Sequence, residues 1–422
     1  MITTPYSIFT DMSVLNMAHN MARKAGRGKN SIVKFEWDLL GQLARLQRQL
    51  INKTYRLAPY FRFHVFEPKP RIIYALEYRD RIVQHVMCDN ILEPYFSSKI
   101  IYDNAGCVKK RGQHFAVKRL KKFLKCHYHT YGKTGYYLKV DIKKFYPSLS
   151  HEVIKNSMSN LIVDEDVKNL FNLMVDSFET PVEFLIKNGV PVYEGDMDKN
   201  MDYFSTLAKA TSCLREHNAQ QLQIACHCER SEVIQNISTL TPIKRGVPIG
   251  NQTSQIIGMY YLNPIDRLVK EKLGVKHYIR YMDDFILVHR DREFLKSALE
   301  QIKQKLWTDL KLVVNNKTQI APLKNGINFL GNRVVLTDKG RAYNRIVPRT
   351  VKKFKMIIKK FNKDPDLFEA DKIKSTIASY KGHFKHSVSK GKATKIAKRL
   401  NVSVKKKSFE SIMAEIAGDE MF

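Results

Sequence analysis

The tetrapeptide Tyr281-Met282-Asp283-Asp284 lies between two strand-like apolar runs, His277 to Tyr281 and Phe285 to Val288, and this leaves the chain few ways to fold there. Two such runs so close together form a hairpin, and its tip carries two adjacent carboxylates. Side by side, ionised carboxylates repel, and each makes the other harder to ionise unless a cation sits between them. A hairpin tip of this kind is a natural divalent-metal site. Asp is also a common turn residue, so the tetrapeptide alone reads equally as a solvated turn. What precedes it decides between the two.

Upstream, Tyr136 to Ile142 is rich in aromatic and β-branched residues and reads as a strand, with Asp141 closing a nearly apolar run. A carboxylate there is costly unless it is paired or binds a metal. Between Asp141 and the acidic turn lies Lys244-Arg245-Gly246-Val247-Pro248-Ile249-Gly250-Asn251-Gln252-Thr253-Ser254-Gln255, followed by an apolar helical run from Ile256 to Leu268. Two glycines around a proline let the backbone approach a ligand closely. Transfer of a nucleotide to a growing 3′ end needs two hard cations about 3.5 to 4 Å apart. Asp141 and Asp283 can bridge such a pair, and Mg²⁺ asks for only one or two carboxylates besides substrate phosphates.

The charge agrees with that chemistry. Lys and Arg number 72 against 41 acidic residues, a net +31 over 422 residues, so the chain attracts a polyanion at long range. The basic residues are spread along the whole chain instead of lining one amphipathic helix, which favours nucleic acid over a membrane surface. No apolar run approaches the roughly 20 residues that a bilayer requires. No secretory signal is visible at Met1-Ile2-Thr3-Thr4-Pro5, and the expected compartment is the cytoplasm. Six irregularly spaced cysteines do not suggest a disulfide framework. Cys226-His227-Cys228 lacks a second pair at zinc-site spacing.

The expected fold is α+β. Residues 1–60 read as a helical extension, with Leu39, Leu40, Leu43, Leu46 and Leu50 near the helical period. Residues 61–135 begin strand-like and basic, then give a helix with Ile82, Val83, Val86 and Met87, then a second basic stretch of turn composition ending Lys109-Lys110-Arg111-Gly112. Strand, helix, acidic hairpin and the helix from Arg292 to Leu306 suggest a ferredoxin-like antiparallel sheet backed by helices, over 136–187 and 242–335. Residues 188–241 break the pattern and read as a surface insertion. Beyond Thr337 the chain reads as helical and very basic, with Lys352, Lys353, Lys355, Lys359 and Lys360, then Lys392, Lys395, Lys398 and Arg399, then Lys405, Lys406 and Lys407.

With those residues in view, the chain resembles reverse transcriptases of bacterial and phage origin from about Phe66 to Gly331, with a weaker match from Ser379 to His386. The resemblance implies a right-hand polymerase with fingers (61–135), a ferredoxin-like palm and a helical thumb (336–422). It implies RNA-directed DNA synthesis on an RNA template from a DNA or RNA primer, with dNTPs and two Mg²⁺ ions for which Mn²⁺ can substitute. By residue, Asp141, Asp283 and Asp284 match the metal-binding aspartates, with the Ile142 backbone as a further metal ligand. Lys317 resembles a lysine that helps protonate the leaving pyrophosphate. Lys69, Arg71, Lys109 and Arg111 would lie in the fingers over the incoming triphosphate, joined by Ile249 and Gly250. Tyr146 looks like the aromatic gate against a 2′-hydroxyl, and Phe329-Leu330-Gly331 like a primer-grip hairpin. The Ile-Gly-Asn-x-x-Ser-Gln block is similar to enzymes of diversity-generating retroelements, which copy RNA with frequent errors opposite adenine. Defence-associated bacterial reverse transcriptases share much of the same core, and a separate accessory protein is among the partners the resemblance allows. A two-metal nuclease would use the same aspartates without needing the aromatic gate. A non-catalytic nucleic-acid-binding protein would explain the charge alone.

Overall fold

The computed structural model describes residues 1–24, 26–66, 70–192, 243–364, 368 and 370–400, with the backbone alone at Lys390. Lys69, Cys226-His227-Cys228, most of the expected insertion and the last basic run, Lys405 to Lys407, lie outside the described residues. At the edge of the insertion, Ile243 N–H donates to the Val192 carbonyl at 2.8 Å, so the chain leaves and re-enters the described fold at one place.

The N-terminal residues are helical, as their periodicity predicts. Helix Met12–Arg23 starts where the Asp11 carboxylate accepts from the Ser13 and Val14 amides, a cap that satisfies N–H groups the helix cannot pair itself. In helix Leu39–Ile51 the buried stripe is Leu43, Leu46 and Leu50. Leu40 falls off that stripe and is 76% exposed. This extension packs onto the following elements: helix Met12–Arg23 lies on helix Tyr78–Met87, and Ile2 pairs with Leu161 and Val163 through backbone bonds of 2.7 and 2.9 Å.

Strands β1 (Phe61–Val65) and β2 (Arg71–Ala75) form an antiparallel hairpin with Val65 opposite Arg71. After helix Tyr78–Met87 comes an element absent from the sequence reading, helix Gln113–Tyr131. It buries Ala116, Val117, Leu120, Phe123, Leu124 and His127, an i, i+4, i+7, i+8 stripe.

That helix covers one face of the central sheet. Strands β3 (Tyr136–Val140), β4 (Tyr278–Tyr281), β5 (Asp284–His289) and β6 (Gln319–Pro322) lie in the order β4-β5-β3-β6, each pair antiparallel. This is the split βαβ arrangement that the ferredoxin-like expectation requires. Side chains alternate between two cores. Leu138, Val140, Tyr278, Phe285 and Leu287 face the helices that include Gln252–Tyr261 and Arg292–Thr308. Tyr137, Ile279, Ile286 and Val288 face helix Gln113–Tyr131. Because both faces are buried, β5 is apolar from Phe285 to Val288 instead of alternating. Truncating a fully buried residue such as Phe285 to Ala would cost about 3 to 5 kcal/mol.

A second sheet follows, β7 (Ile327–Phe329), β8 (Asn332–Leu336) and β9 (Ala342–Ile346). Leu330 and Gly331, with φ of 49° and 76°, form the two-residue turn between β7 and β8, the conformation that matches strand twist. Strand β9 corrects the expectation that the chain is helical from Thr337 onward. Its polar Asn344 is satisfied by the Asn332 side chain at 2.8 Å, so a strand with few apolar residues is still held. Helices Pro348–Lys363, Ala370–Lys385 and Lys390–Ala397 then form their own core around Phe354, Ile358, Ile377 and Phe384. Their lysines Lys352, Lys355, Lys359, Lys360, Lys392, Lys395 and Lys398 are exposed.

Candidate active site

The pairing Tyr281↔Asp284 leaves Met282 and Asp283 as a two-residue turn, with Met282 in the left-handed region at φ 55°. A non-glycine residue there is strained and must be held by its surroundings. Two contacts hold it. Arg280 Nη1 donates to the Met282 carbonyl at 3.1 Å. From the other side, residues 103–106 run beside β4, with Ala105 N–H on the Arg280 carbonyl at 2.8 Å and Arg280 N–H on the Asp103 carbonyl at 3.0 Å. Gly106 then lies so close that a Cβ would sit 2.7 Å from both the Met282 amide nitrogen and its sulfur. Gly106→Ala is therefore expected to lower stability by about 1 to 3 kcal/mol, checked by thermal unfolding. An unchanged melting temperature would mean that the two segments do not close on each other.

Asp141 reaches the turn through strand register. Val140 on β3 pairs with Phe285 on β5, so Asp141, one residue on, lies beside Asp284, one residue back. Its backbone is pinned by the loop before β6: Asn315 N–H donates to the Asp141 carbonyl at 2.7 Å, and Asp141 N–H donates to Thr318 Oγ1 at 3.3 Å. Ile142 bridges Val314 in the same place, which orients the backbone that follows Asp141.

Asp284 is a largely buried acid. Burial pushes its carboxyl up to about 6, an effect that Lys139 offsets in part and that Asp283 and Asp141 increase. Lys139 Nζ lies 3.2 Å from Asp284 Oδ2 and donates to the Asn328 carbonyl at 2.9 Å. Asp284 Oδ1 is buried with no hydrogen-bond partner. A buried carboxylate oxygen without a donor, next to two further acids, fits a hard cation. Among the described residues, no three His, Cys, Asp or Glu side chains already converge as a ligand set.

Around the acids the structure gathers most of the expected residues. Tyr146 packs on helix Gln252–Tyr261, where a Cβ on Gly258 would lie 3.2 Å from its ring and 3.3 Å from Met282 Cε. Burial raises its hydroxyl well above the usual range; the charges of Cys107, Asp283 and Tyr281 raise it further and Arg71 opposes this. Tyr146 is therefore within electrostatic reach of both the turn and the start of β2. The glycine turn is tied to the same place. Val247 N–H donates to the Tyr146 carbonyl at 3.1 Å, and Tyr74 N–H donates to the Ile249 carbonyl at 3.2 Å. Gly250, at φ 126°, sits where a Cβ would meet Ile73 at 3.0 Å. Arg71 is exposed on the same hairpin. Lys317 is exposed in the loop that pins Asp141, its N–H on Asn315 Oδ1 at 3.2 Å.

Two expected substrate residues are engaged elsewhere. Lys109, 83% exposed, pairs with Glu93 at 3.0 Å. Arg111 donates to the Ile101 and Asn104 carbonyls at 3.2 Å each and stacks over Tyr102, so it braces the loop beside β4. Lys139 and Arg280 were missed by sequence reasoning. Each is a cation inside an apolar strand, and that anomaly was the available signal.

Residues 204–334 match the family model described as reverse transcriptase (RNA-dependent DNA polymerase). The match begins outside the described residues and takes in the Asp283-Asp284 turn, while Asp141 precedes it. No curated protein matches the chain. Among solved structures it is similar to telomerase from Candida albicans in complex with a TWJ fragment of telomeric RNA, at 14% identity and a TM-score of 0.38. That alignment covers 90% of this chain and 64% of the other, so this chain spans less than two thirds of that length. No helix among the described residues is long and apolar enough to cross a membrane. The described residues thus combine helices with antiparallel sheets, and over residues 204–334 the chain is similar to the reverse transcriptase (RNA-dependent DNA polymerase) domain.

Proposed function

We propose that this chain copies an RNA template into DNA by two-metal nucleotidyl transfer, extending a DNA or RNA primer with dNTPs. The observation that carries the reading is the meeting of Asp141, Asp283 and Asp284 at one end of the central sheet, with a buried carboxylate oxygen unpaired. Asp141, Asp283, Asp284 and the Ile142 carbonyl would hold two Mg²⁺ ions. Such ions would lower the pKa of the attacking hydroxyl and neutralise charge on the triphosphate. Arg71 and the Ile249-Gly250 backbone line the approach for that triphosphate, with Tyr146 under the sugar and Lys317 near the leaving group. The exposed lysines of the C-terminal helices suit the phosphates of an RNA/DNA duplex, which is held through backbone and shape. The test is extension of a DNA primer annealed to RNA, with dNTPs and Mg²⁺. Templated product supports the reading, and its absence with folded, RNA-binding protein overturns it.

Within that activity, Ile249 favours a low-fidelity enzyme of the diversity-generating type over a defence-associated one. An apolar side chain at this position removes one hydrogen-bonding group near the nascent pair, a contact worth about 0.5 to 1.5 kcal/mol. Ile249→Gln is expected to lower misincorporation opposite template adenine by roughly two- to twelvefold, given about 1.4 kcal/mol per decade. Sequencing of products from both proteins checks this, and identical error spectra would remove Ile249 as the cause.

A further inference from the structure

Arg280 and Asp266 are both 0% exposed. Arg280 Nε and Nη2 meet Asp266 Oδ1 and Oδ2 at 2.7 and 2.5 Å, and the Tyr278 hydroxyl donates to Asp266 Oδ1 at 2.6 Å. A buried ion pair is poor evidence of a stabilising role, because apolar residues of similar volume often serve a fold as well or better. The rest of the guanidinium is used differently. Nη2 donates to the Met259 carbonyl at 2.9 Å, and Nη1 donates to the Met282 carbonyl at 3.1 Å.

We propose that Arg280 is a positioning residue for the acidic turn, gripped by Asp266 so that its free edge fixes the Met282 carbonyl and with it the direction in which Asp283 is presented. This rests on the reading of that turn as the catalytic centre. The geometry argues for it in three steps. A guanidinium is planar, so two bonds to Asp266 set the direction of Nη1. The Met282 carbonyl shares a rigid peptide plane with the Asp283 amide, so fixing one orients the other. Met282 is in the sparsely populated left-handed region, which persists only where neighbours hold it. The Arg280 backbone also pairs with residues 103–105, and Met259 lies in the helix that carries Gly258 against Tyr146. One side chain thus references the turn to the helix beneath it and to the segment beside it.

The test uses the full chain and two variants. Arg280→Lys keeps the charge near Asp266 and loses the fork. The triple variant Tyr278→Phe/Asp266→Leu/Arg280→Met removes the whole polar cluster without stranding a buried charge. Both are expected to bind primer–template with wild-type affinity while kcat falls about 10²-fold, the scale of a misplacement near 1 Å. The Mg²⁺ concentration for half-maximal rate should rise and the dNTP KM should hold. A merely structural role moves the melting temperature alone, so either folded variant with wild-type kcat and Mg²⁺ requirement overturns the proposal. If the triple variant does not fold, Arg280→Lys decides. If wild-type protein makes no DNA, the polymerase reading fails, and positioning is judged by Mn²⁺ binding measured by electron paramagnetic resonance. Weaker binding by Arg280→Lys then supports the proposal, and equal binding overturns it.

Discussion

Asp283→Asn is expected to reduce single-turnover primer extension at least about 10³-fold, because a metal bridge contributes several kcal/mol at the transition state and each 1.4 kcal/mol is a decade in rate. The substitution is nearly isosteric and sits in the turn between β4 and β5, where it leaves the sheet pairing intact. Binding of an RNA/DNA duplex should be unchanged, since the exposed lysines of the C-terminal helices lie on separate elements. Rapid-quench extension and filter binding on the same preparations separate the two effects. A rate within tenfold of wild type would mean that Asp283 holds no metal at the reacting phosphate.

Asp284→Asn should have two opposite effects. The Asp284 carboxyl sits at about 6 in the fold against an ordinary 3.8, principally because it is buried. The folded protein therefore takes up this proton before the unfolded chain does. Above pH 6 the group is ionised in both states and burial of the charge costs about 2 to 3 kcal/mol at roughly 1.4 kcal/mol per pH unit. As pH falls from 6 towards 4, only the folded state protonates, and its stability rises. Asn at 284 removes that dependence, and it can still accept from Lys139. Without metal at pH 7.5 the variant is expected to melt about 2 to 6 °C higher than wild type. Added Mg²⁺ should stabilise wild type by about 2.7 kcal/mol at a hundredfold excess over its Kd and the variant by less. Extension by wild type should fall as pH drops below 6, where the proton competes with the cation. Calorimetry with and without Mg²⁺, together with a pH–rate profile, checks these signs. A variant that melts lower without metal would show that the buried charge is satisfied in a way the Lys139 contact does not explain.

The acidic hairpin, Asp141 and helix Arg292–Thr308 were legible in the sequence because each depends on local pattern. Strand composition, a carboxylate at the end of an apolar run and a 3.6-residue stripe are intrinsic to short windows. Helix Gln113–Tyr131 carries as good a stripe, Ala116, Val117, Leu120, Phe123 and Leu124, but lysines and arginines fill the positions between and masked it. Strand β9 gave too little local signal, since the buried position between Ala342 and Ile346 is held by the polar Asn344. Its place beside β8 is set by the long-range pairing Val334↔Asn344 and the amide contact to Asn332.

The sequence by itself determined the chemistry available at the site: three acids, a glycine turn, an aromatic after Asp141 and an excess of positive charge. Only the tertiary structure decided which charges meet. Lys139 and Asp284 are far apart in the chain and come within 3.2 Å because β3 and β5 are neighbours in register. Arg280 finds Asp266 across two elements, while Arg111 and Lys109 turn to the loop and to Glu93. A cation's partner follows from sheet order, register and burial, which are properties of contacts distant in sequence, so no local window could reveal it.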